Sequence, residues 1–153
     1  MSPPDRDARI RLGVALLCAL PVWLAYPLPL QDLPSHEQVV ALLANGLEWS
    51  GLADRMTIDA SPRPYALTYF LWAALAKVFG VAASSRLVVS YLLVGGVLGS
   101  AALVRAFDPR KEIRSLLVVL FLFTEIYYIG LIPNLLALPT AMWLLARRVP
   151  RAE

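Results

Sequence analysis

The sequence contains little of what disulfide-stabilised proteins and common soluble enzymes use. Its 153 residues include one cysteine and one histidine, and only 16% of the residues are charged. A lone cysteine, Cys18, excludes a disulfide framework or a thiolate metal site within one chain. A phosphate-binding glycine loop, zinc-ligand spacing and a nucleophile elbow are also absent from the sequence. These absences exclude the soluble enzyme classes that such motifs identify.

Apolar residues dominate instead. They make up 59% of the chain, and the mean hydropathy is positive. A soluble domain of this size cannot hide so much apolar surface, so the composition predicts an integral membrane protein. The net charge of +3 comes from short basic clusters beside apolar runs, as in the cytoplasmic loops of membrane proteins. No basic stripe with interleaved aromatic residues is present, and we expect no nucleic-acid partner.

The first apolar run covers residues 12–30, contains no charge and follows three arginines. It is long enough to cross about 30 Å of hydrocarbon, which predicts a first transmembrane span. A cleavable signal peptide begins in a similar way. However, Pro21 and Pro27 interrupt the run and no clear cleavage site follows, so an uncleaved helix is favoured.

Residues 31–63 are acidic and polar, with five acids against two arginines. The positive-inside rule places such a loop on the outer face of the membrane and the N-terminus in the cytoplasm. Ser35 and Gln38 form a capping-box pattern. We therefore predict an amphipathic juxtamembrane helix over about residues 35–50, lying along the membrane surface.

Three further apolar stretches complete the predicted fold. They are residues 64–83 as span 2, residues 87–104 as span 3, and residues 115–146 as one kinked span or two short spans. Gly130 and Pro133 interrupt the last stretch. The predicted fold class is all-α: a polytopic membrane helix bundle with about four to five transmembrane segments. Residues 1–153 form one membrane domain, interpreted as the N-terminal part of a larger architecture.

The basic clusters leave the topology open. If every apolar stretch crosses the membrane, the basic loop at residues 105–114 and the basic C-terminal tail both fall outside. That result opposes the positive-inside rule. Either one segment between residues 64 and 104 is re-entrant or the rule fails locally, and the number of crossings stays undecided at this point.

The order of these features resembles the N-terminal part of the GT-C superfamily, glycosyltransferases that use polyprenyl-phosphate sugars, or a related uncharacterised bacterial multi-spanning membrane protein. The matching pieces are "DLPSH", "PRPYALTYFLWAALAKVFG", "SSRLVVSYLLVGG" and "YYIGLIPNLLALPTAMWLLARR". The resemblance implies a transferase of the bacterial cytoplasmic membrane that moves a sugar from a lipid-linked donor at the outer face. Members of that superfamily are usually several times longer, so the chain corresponds to the first portion of one.

The resemblance assigns Asp32 as the catalytic residue, either a general base or a metal-binding acid. Sugar transfer from a lipid phosphate needs such a group near the headgroups, where the donor phosphate lies. The alternative is a loop acid that forms a turn beside Pro34. Asp32 and His36 are two candidate metal ligands, which is too few for a metal site by themselves. Whether the protein uses a divalent cation as a cofactor stays open.

Three residues are candidates for contact with substrate. His36 follows Asp32 by one helical turn, although a local hydrogen bond is the alternative for it. Arg63 is suited to pair with a donor phosphate or to anchor the chain at the interface. Glu125 lies in an apolar stretch, where a carboxylate must face protein or a cavity. A protonated Glu125 in a helix-packing hydrogen bond is the rival interpretation.

Two other classes of function remain open. The chain is alternatively a non-catalytic membrane subunit, packed against partner membrane helices, or a truncated remnant of an enzyme. A transporter fragment ranks below both, because no inverted repeat of matching segments is visible.

Overall fold

The computed structural model describes residues 3–25, 27–28, 30–59, 61, 66–123 and 132–149. Its α-helices are α1 (Pro3–Leu24), α2 (Leu33–Asn45), α3 (Leu47–Ser50), α4 (Ala66–Phe79), α5 (Val81–Phe107), α6 (Val119–Leu122), α7 (Ile132–Leu135) and α8 (Ala137–Arg148). A 3-10 helix, Pro109–Val118, joins α5 to α6. No strand occurs in the described part of the chain, and the all-α prediction is confirmed.

Helix α1 carries the predicted first span but stops at Leu24, short of residue 30. Pro21 lies inside the helix, whereas Pro27 follows its end. Proline has no backbone N–H and disfavours helical geometry in the residue before it, which explains why the helix does not continue. The uncharged helical part, Leu12 to Leu24, is therefore about 20 Å long.

Helices α2 and α4 form an antiparallel hairpin. His36, near the start of α2, lies against Tyr69 and Trp72 in the middle of α4. The end of α2 and the start of α4 also line one shared pocket. The amphipathic helix predicted for residues 35–50 is present, but it breaks at Gly46, whose φ of 83° is a backbone conformation that glycine adopts readily.

Helix α5 forms the centre of the structure. Val89, Leu92, Leu93 and Val97 on this helix are almost completely buried. Among the described helices, α5 is the one long and apolar enough to cross a membrane, and α4 is apolar but shorter. Helix length and composition in the described residues thus support one candidate span, fewer than the four or five that the sequence predicts.

The helices that pack on α5 fix the directions of the chain. Helix α1 is antiparallel to α5, as two contacts show. Near the C-terminal end of α1, the Trp23 indole donates a 2.9 Å hydrogen bond to Ser90 in the first half of α5. Arg11 pairs with Glu112 just beyond the other end of α5. The first turns of α1 therefore lie beside the C-terminal end of α5.

The segment after α5 turns back along it. The Ser100 hydroxyl of α5 donates to the Ser115 carbonyl in the 3-10 helix at 3.4 Å, and Leu122 of α6 packs against Gly96. Helix α8 then runs parallel to α5, with Pro139 at Gly95 and Trp143 further along α5. The C-terminal ends of α5 and α8 consequently lie at the same end of the bundle as the start of α1.

Residues 105–114, predicted as a basic loop, are mostly helical. Asp108 initiates the 3-10 helix by accepting a 3.0 Å hydrogen bond from the Arg110 backbone N–H. Pro109 occupies the first helical position, which suits its fixed backbone angle. Glu112 points inward and is only 16% exposed at its side chain. Its partner, Arg11, lies far away in sequence, so the sequence alone does not indicate that this acid is buried.

Candidate functional site

Asp32 lies at the start of α2, where the chain has left α1. Its side chain is half-buried and makes no capping hydrogen bond to the helix, while its backbone carbonyl accepts a 3.1 Å hydrogen bond from the His36 N–H. The structure therefore does not use the Asp32 carboxylate to cap α2. The carboxylate remains on the surface close to the first turn of the helix.

His36 connects α2 to α4. Its Nδ1 atom lies 2.6 Å from the Tyr69 hydroxyl oxygen, within hydrogen-bonding distance. The imidazole ring is tilted against two aromatic rings, with centroid distances of 5.7 Å to Tyr69 and 6.3 Å to Trp72. Trp72 is 1% exposed, so one edge of this cluster belongs to the hydrophobic core. The histidine consequently has a packing role whatever chemistry it performs.

A small pocket lies beside Asp32, between the start of α2 and the start of α5. Its volume is about 120 Å³. Glu37 and Arg86 provide its charged side chains, and Pro27 and Pro34 are part of its wall. We call this the exit pocket. Sequence reasoning missed Arg86, because nothing local indicates that the α4–α5 turn returns to the end of α1.

The other predicted site residues cannot be placed beside Asp32. Arg63 and Glu125 both lie outside the described residues. In the described ranges no group of three or more His, Cys, Asp or Glu side chains is arranged to hold a metal ion. Asp32 and His36 are therefore not joined by a third such side chain among the described residues.

The opposite end of α5 carries a buried ion pair that sequence reasoning missed. Arg11 Nη2 lies 2.9 Å from Glu112 Oε1, and Arg105 Nη1 lies 3.7 Å from the same oxygen. The Arg11 side chain is 7% exposed, and its Nη1 atom has no hydrogen-bond partner. No local pattern could have joined these residues, because they lie in the first and fifth helices and in the segment after the fifth.

Two aspartates, Asp108 near this end and Asp59 elsewhere, have lowered pKa values because of neighbouring groups. The Lys111 ammonium, 3.0 Å from the Asp108 carboxylate, lowers the pKa of that acid, and the Arg110 backbone N–H lowers it further. In the segment between α3 and α4, the pKa of Asp59 is lowered by hydrogen bonds from Ser61, the backbone N–H first. Both carboxylates are therefore charged near neutral pH.

Comparison with protein-family models, with curated proteins and with solved structures finds no match to this chain. The resemblance to the GT-C superfamily therefore stays a prediction from the sequence.

Proposed function

We propose that the protein is an integral membrane protein with an outer-face site at Asp32. The main support is the apolar character of its outer surface. Large apolar side chains point away from the bundle on α1, α4, the 3-10 helix, α6 and α8. The following are each more than half exposed: Leu17, Leu24, Leu67, Val78, Leu117, Leu120, Phe121 and Leu144. Soluble monomers rarely present so much apolar surface on several elements, whereas lipid tails would cover it.

Charge distribution supports one orientation. The basic residues of the first turns of α1, of the segment after α5 and of the end of α8 gather at one end of the bundle. We call this the basic end: Arg6, Arg9, Arg11, Arg105, Arg110, Lys111, Arg114, Arg147 and Arg148. Cytoplasmic loops of membrane proteins carry such an excess, so the basic end faces the cytoplasm in this proposal.

The exit pocket lies at the other end of α5. Ala82 lines the exit pocket and Arg105 belongs to the basic end, and about 35 Å of helix separates them. That length is comparable to a hydrocarbon core of about 30 Å. Asp32, which neighbours the exit pocket, is therefore at the outer boundary if the basic end is cytoplasmic.

The α2–α4 hairpin supports the re-entrant alternative left open by the sequence. Helix α2 begins at the exit pocket and α4 ends at the turn into α5, so the hairpin starts and finishes at the same end. Within the described residues helix α4 has 14 residues and is about 21 Å long, which is shorter than a full crossing. If α4 does not cross the membrane, residues 105–114 and the end of α8 both stay on the cytoplasmic side.

The proposed activity is transfer of a sugar from a polyprenyl phosphate to an acceptor hydroxyl. The Asp32 carboxylate takes the proton of that hydroxyl, whose oxygen forms a bond to the anomeric carbon. The bond between that carbon and the phosphate oxygen breaks, and the lipid phosphate leaves with the electron pair. The support is the place of Asp32: half-buried, not used as a helix cap, and at the end of the bundle remote from the basic end.

A transfer assay in membranes tests this activity. Membranes that contain the protein are incubated with polyprenyl phosphate glucose or mannose labelled in the sugar, and label in lipid-free product is counted. Asp32→Asn is expected to lower the rate about 100-fold or more, since acid–base groups contribute factors of that size. Glu48→Gln is the control, because Glu48 is an exposed acid of α3 that does not line the exit pocket. Equal rates in the Asp32→Asn variant and the parent protein would remove the activity proposal.

A non-catalytic membrane subunit is the second candidate. The contact between His36 and Tyr69 favours it, because it binds the histidine into the packing between α2 and α4. In that case no transfer above control membranes is seen with either donor. Co-purification of partner membrane proteins from detergent extracts, reduced when apolar residues on the outer surface of α4 are changed, would then support the subunit.

A further inference from the structure

A groove lies at the basic end, between the last turns of α5 and α8. Its volume is about 630 Å³. Small side chains, Ala102, Ala106 and Ala146, leave it open. Two charged side chains line it, Arg105 and Arg147, and no acid is among its lining residues. We call this the basic groove.

The positive charge of the basic groove is not neutralised by the described residues around it. Glu112 is the acid near Arg105, and it is already paired at 2.9 Å with Arg11, compared with 3.7 Å to Arg105. Arg147 makes no ion pair within the described residues. Asp108, between the lining residues Phe107 and Pro109, is paired with Lys111 at 3.0 Å. Among the described residues, the ion pairs of Arg11 and Arg105 both go to Glu112 and Arg147 makes none, so an anion in the groove would restore the balance.

Aromatic side chains form the rest of the opening. Trp143 lines the groove and is 43% exposed, and Phe107 lines it and is 70% exposed. Tryptophan is enriched where membrane headgroups meet hydrocarbon. Cations and aromatic rings at one opening suit a molecule with an anionic head and apolar tails.

We propose that the basic groove binds a phosphate-bearing anion through Arg105 and Arg147, and that this anion is the headgroup of an anionic phospholipid of the cytoplasmic leaflet. The assignment of the anion to a lipid headgroup rests on the membrane insertion proposed above. The guanidinium groups donate charge-assisted hydrogen bonds to the phosphate oxygens, and the lipid tails lie along Trp143 and Phe107. The site is separate from Asp32, which lies at the opposite end of α5.

The main alternative explanation is that Arg105 and Arg147 only stabilise the negative C-terminal ends of the α5 and α8 helix dipoles and bind no ligand. The chain provides a matched control for it. Arg148 lies at the same C-terminal end of α8 as Arg147 but does not line the groove. A helix-end effect would make the two residues equivalent, whereas a binding site would make Arg147 the more important one.

The experiment measures binding to the purified protein in neutral detergent. Native mass spectrometry and thermal unfolding are followed during titration with dioleoylphosphatidylglycerol, dioleoylphosphatidylcholine or inorganic phosphate. Arg147→Gln is expected to weaken phosphatidylglycerol binding about ten-fold, as loss of a charge-assisted hydrogen bond implies. Arg148→Gln is expected to bind like the parent protein. Ala146→Phe, which keeps the charges but fills the groove, is expected to bind less, and circular dichroism checks that each variant is helical.

The outcomes separate the two sources of phosphate and the two proposals. Preference for phosphatidylglycerol over both other ligands supports the headgroup site. Equal binding of inorganic phosphate supports a phosphate site but overturns the lipid source. Equal binding of phosphatidylcholine and phosphatidylglycerol, or equal losses for Arg147→Gln and Arg148→Gln, overturns the site. If the protein is stable without detergent, membrane insertion fails, while the phosphate titration still tests the groove.

Discussion

Arg11 in the first helix and Glu112 after the fifth helix form a buried ion pair, with Nη2 and Oε1 2.9 Å apart. The side chains are 7% and 16% exposed. The pair joins the beginning of α1 to the 3-10 helix and so helps to gather the chain's basic segments at one end. Its geometry leads directly to the first prediction.

Glu112→Gln is expected to destabilise the protein by about 3–5 kcal/mol, because it leaves the buried Arg11 guanidinium without its counter-charge. Thermal and chemical unfolding in detergent, followed by circular dichroism, measure the loss. Glu48→Gln, at an exposed acid of α3, is the control and should change the free energy of unfolding by less than about 0.5 kcal/mol. Equal stability of the two variants would show that the ion pair does not hold α1 in place.

Gly95→Ala is expected to destabilise the packing of α5 on α8. A Cβ atom at position 95 would lie 2.9 Å from Pro139 Cβ, and the proline is buried and rigid, so one helix must shift. Overpacking of this kind costs about 1–3 kcal/mol. Gly13→Ala is the matched control in α1, where a Cβ atom meets nothing within 4 Å. The control should be neutral or stabilising, and similar unfolding temperatures for both variants would contradict the packing.

Tyr69→Phe separates structure from chemistry near Asp32. It removes the hydroxyl that lies 2.6 Å from His36 Nδ1, and the expected loss of stability is about 1 kcal/mol. Asp32→Asn should leave stability nearly unchanged, because the Asp32 side chain caps no helix. Unfolding measurements on both variants check the contrast. A large loss of stability for Asp32→Asn, with none for Tyr69→Phe, would reverse the roles assigned to these two residues.

The Asp108 carboxyl is expected to titrate below an ordinary aspartate. The Lys111 ammonium and the Arg110 backbone N–H lower its pKa in the folded protein. A lowered folded pKa contributes stability above the unfolded pKa of about 3.9, and that contribution is lost as the pH falls through the folded pKa. Carboxyl-carbon NMR titration of the parent protein and of Lys111→Gln tests this, and an unchanged Asp108 pKa in the variant would rule out Lys111 as the main cause.

The all-helical class follows from the sequence because long apolar runs leave few alternatives. The amphipathic helix after α1 was also predicted, since Ser35 and the spacing of apolar residues mark it locally. Its end at Gly46 was not, because a glycine inside a helical pattern is often tolerated. The early end of α1 depends on how Pro27 redirects the chain, which apolar run length alone does not reveal.

Long-range pairings limited what could be predicted of the sites. The contact of His36 with Tyr69 requires α2 and α4 to fold back on each other, and no local pattern sets that register. Glu112 reads as a loop acid until Arg11 is placed beside it. Asp32 is a sequence-based candidate because it follows an apolar run and the resemblance assigns it a role, neither of which needs tertiary information. The basic groove, in contrast, is visible only when α5 and α8 lie side by side.

Side-specific cysteine labelling tests the central claim most directly. Cys18 is replaced by serine, and single cysteines are introduced at two exposed positions, Gln31→Cys beside Asp32 and Arg110→Cys at the basic end. A membrane-impermeant maleimide is applied to intact cells and then to permeabilised cells. The expected result is labelling of position 31 in intact cells and of position 110 only after permeabilisation. Labelling of both positions from the same side, or of position 110 alone in intact cells, would contradict the proposed insertion.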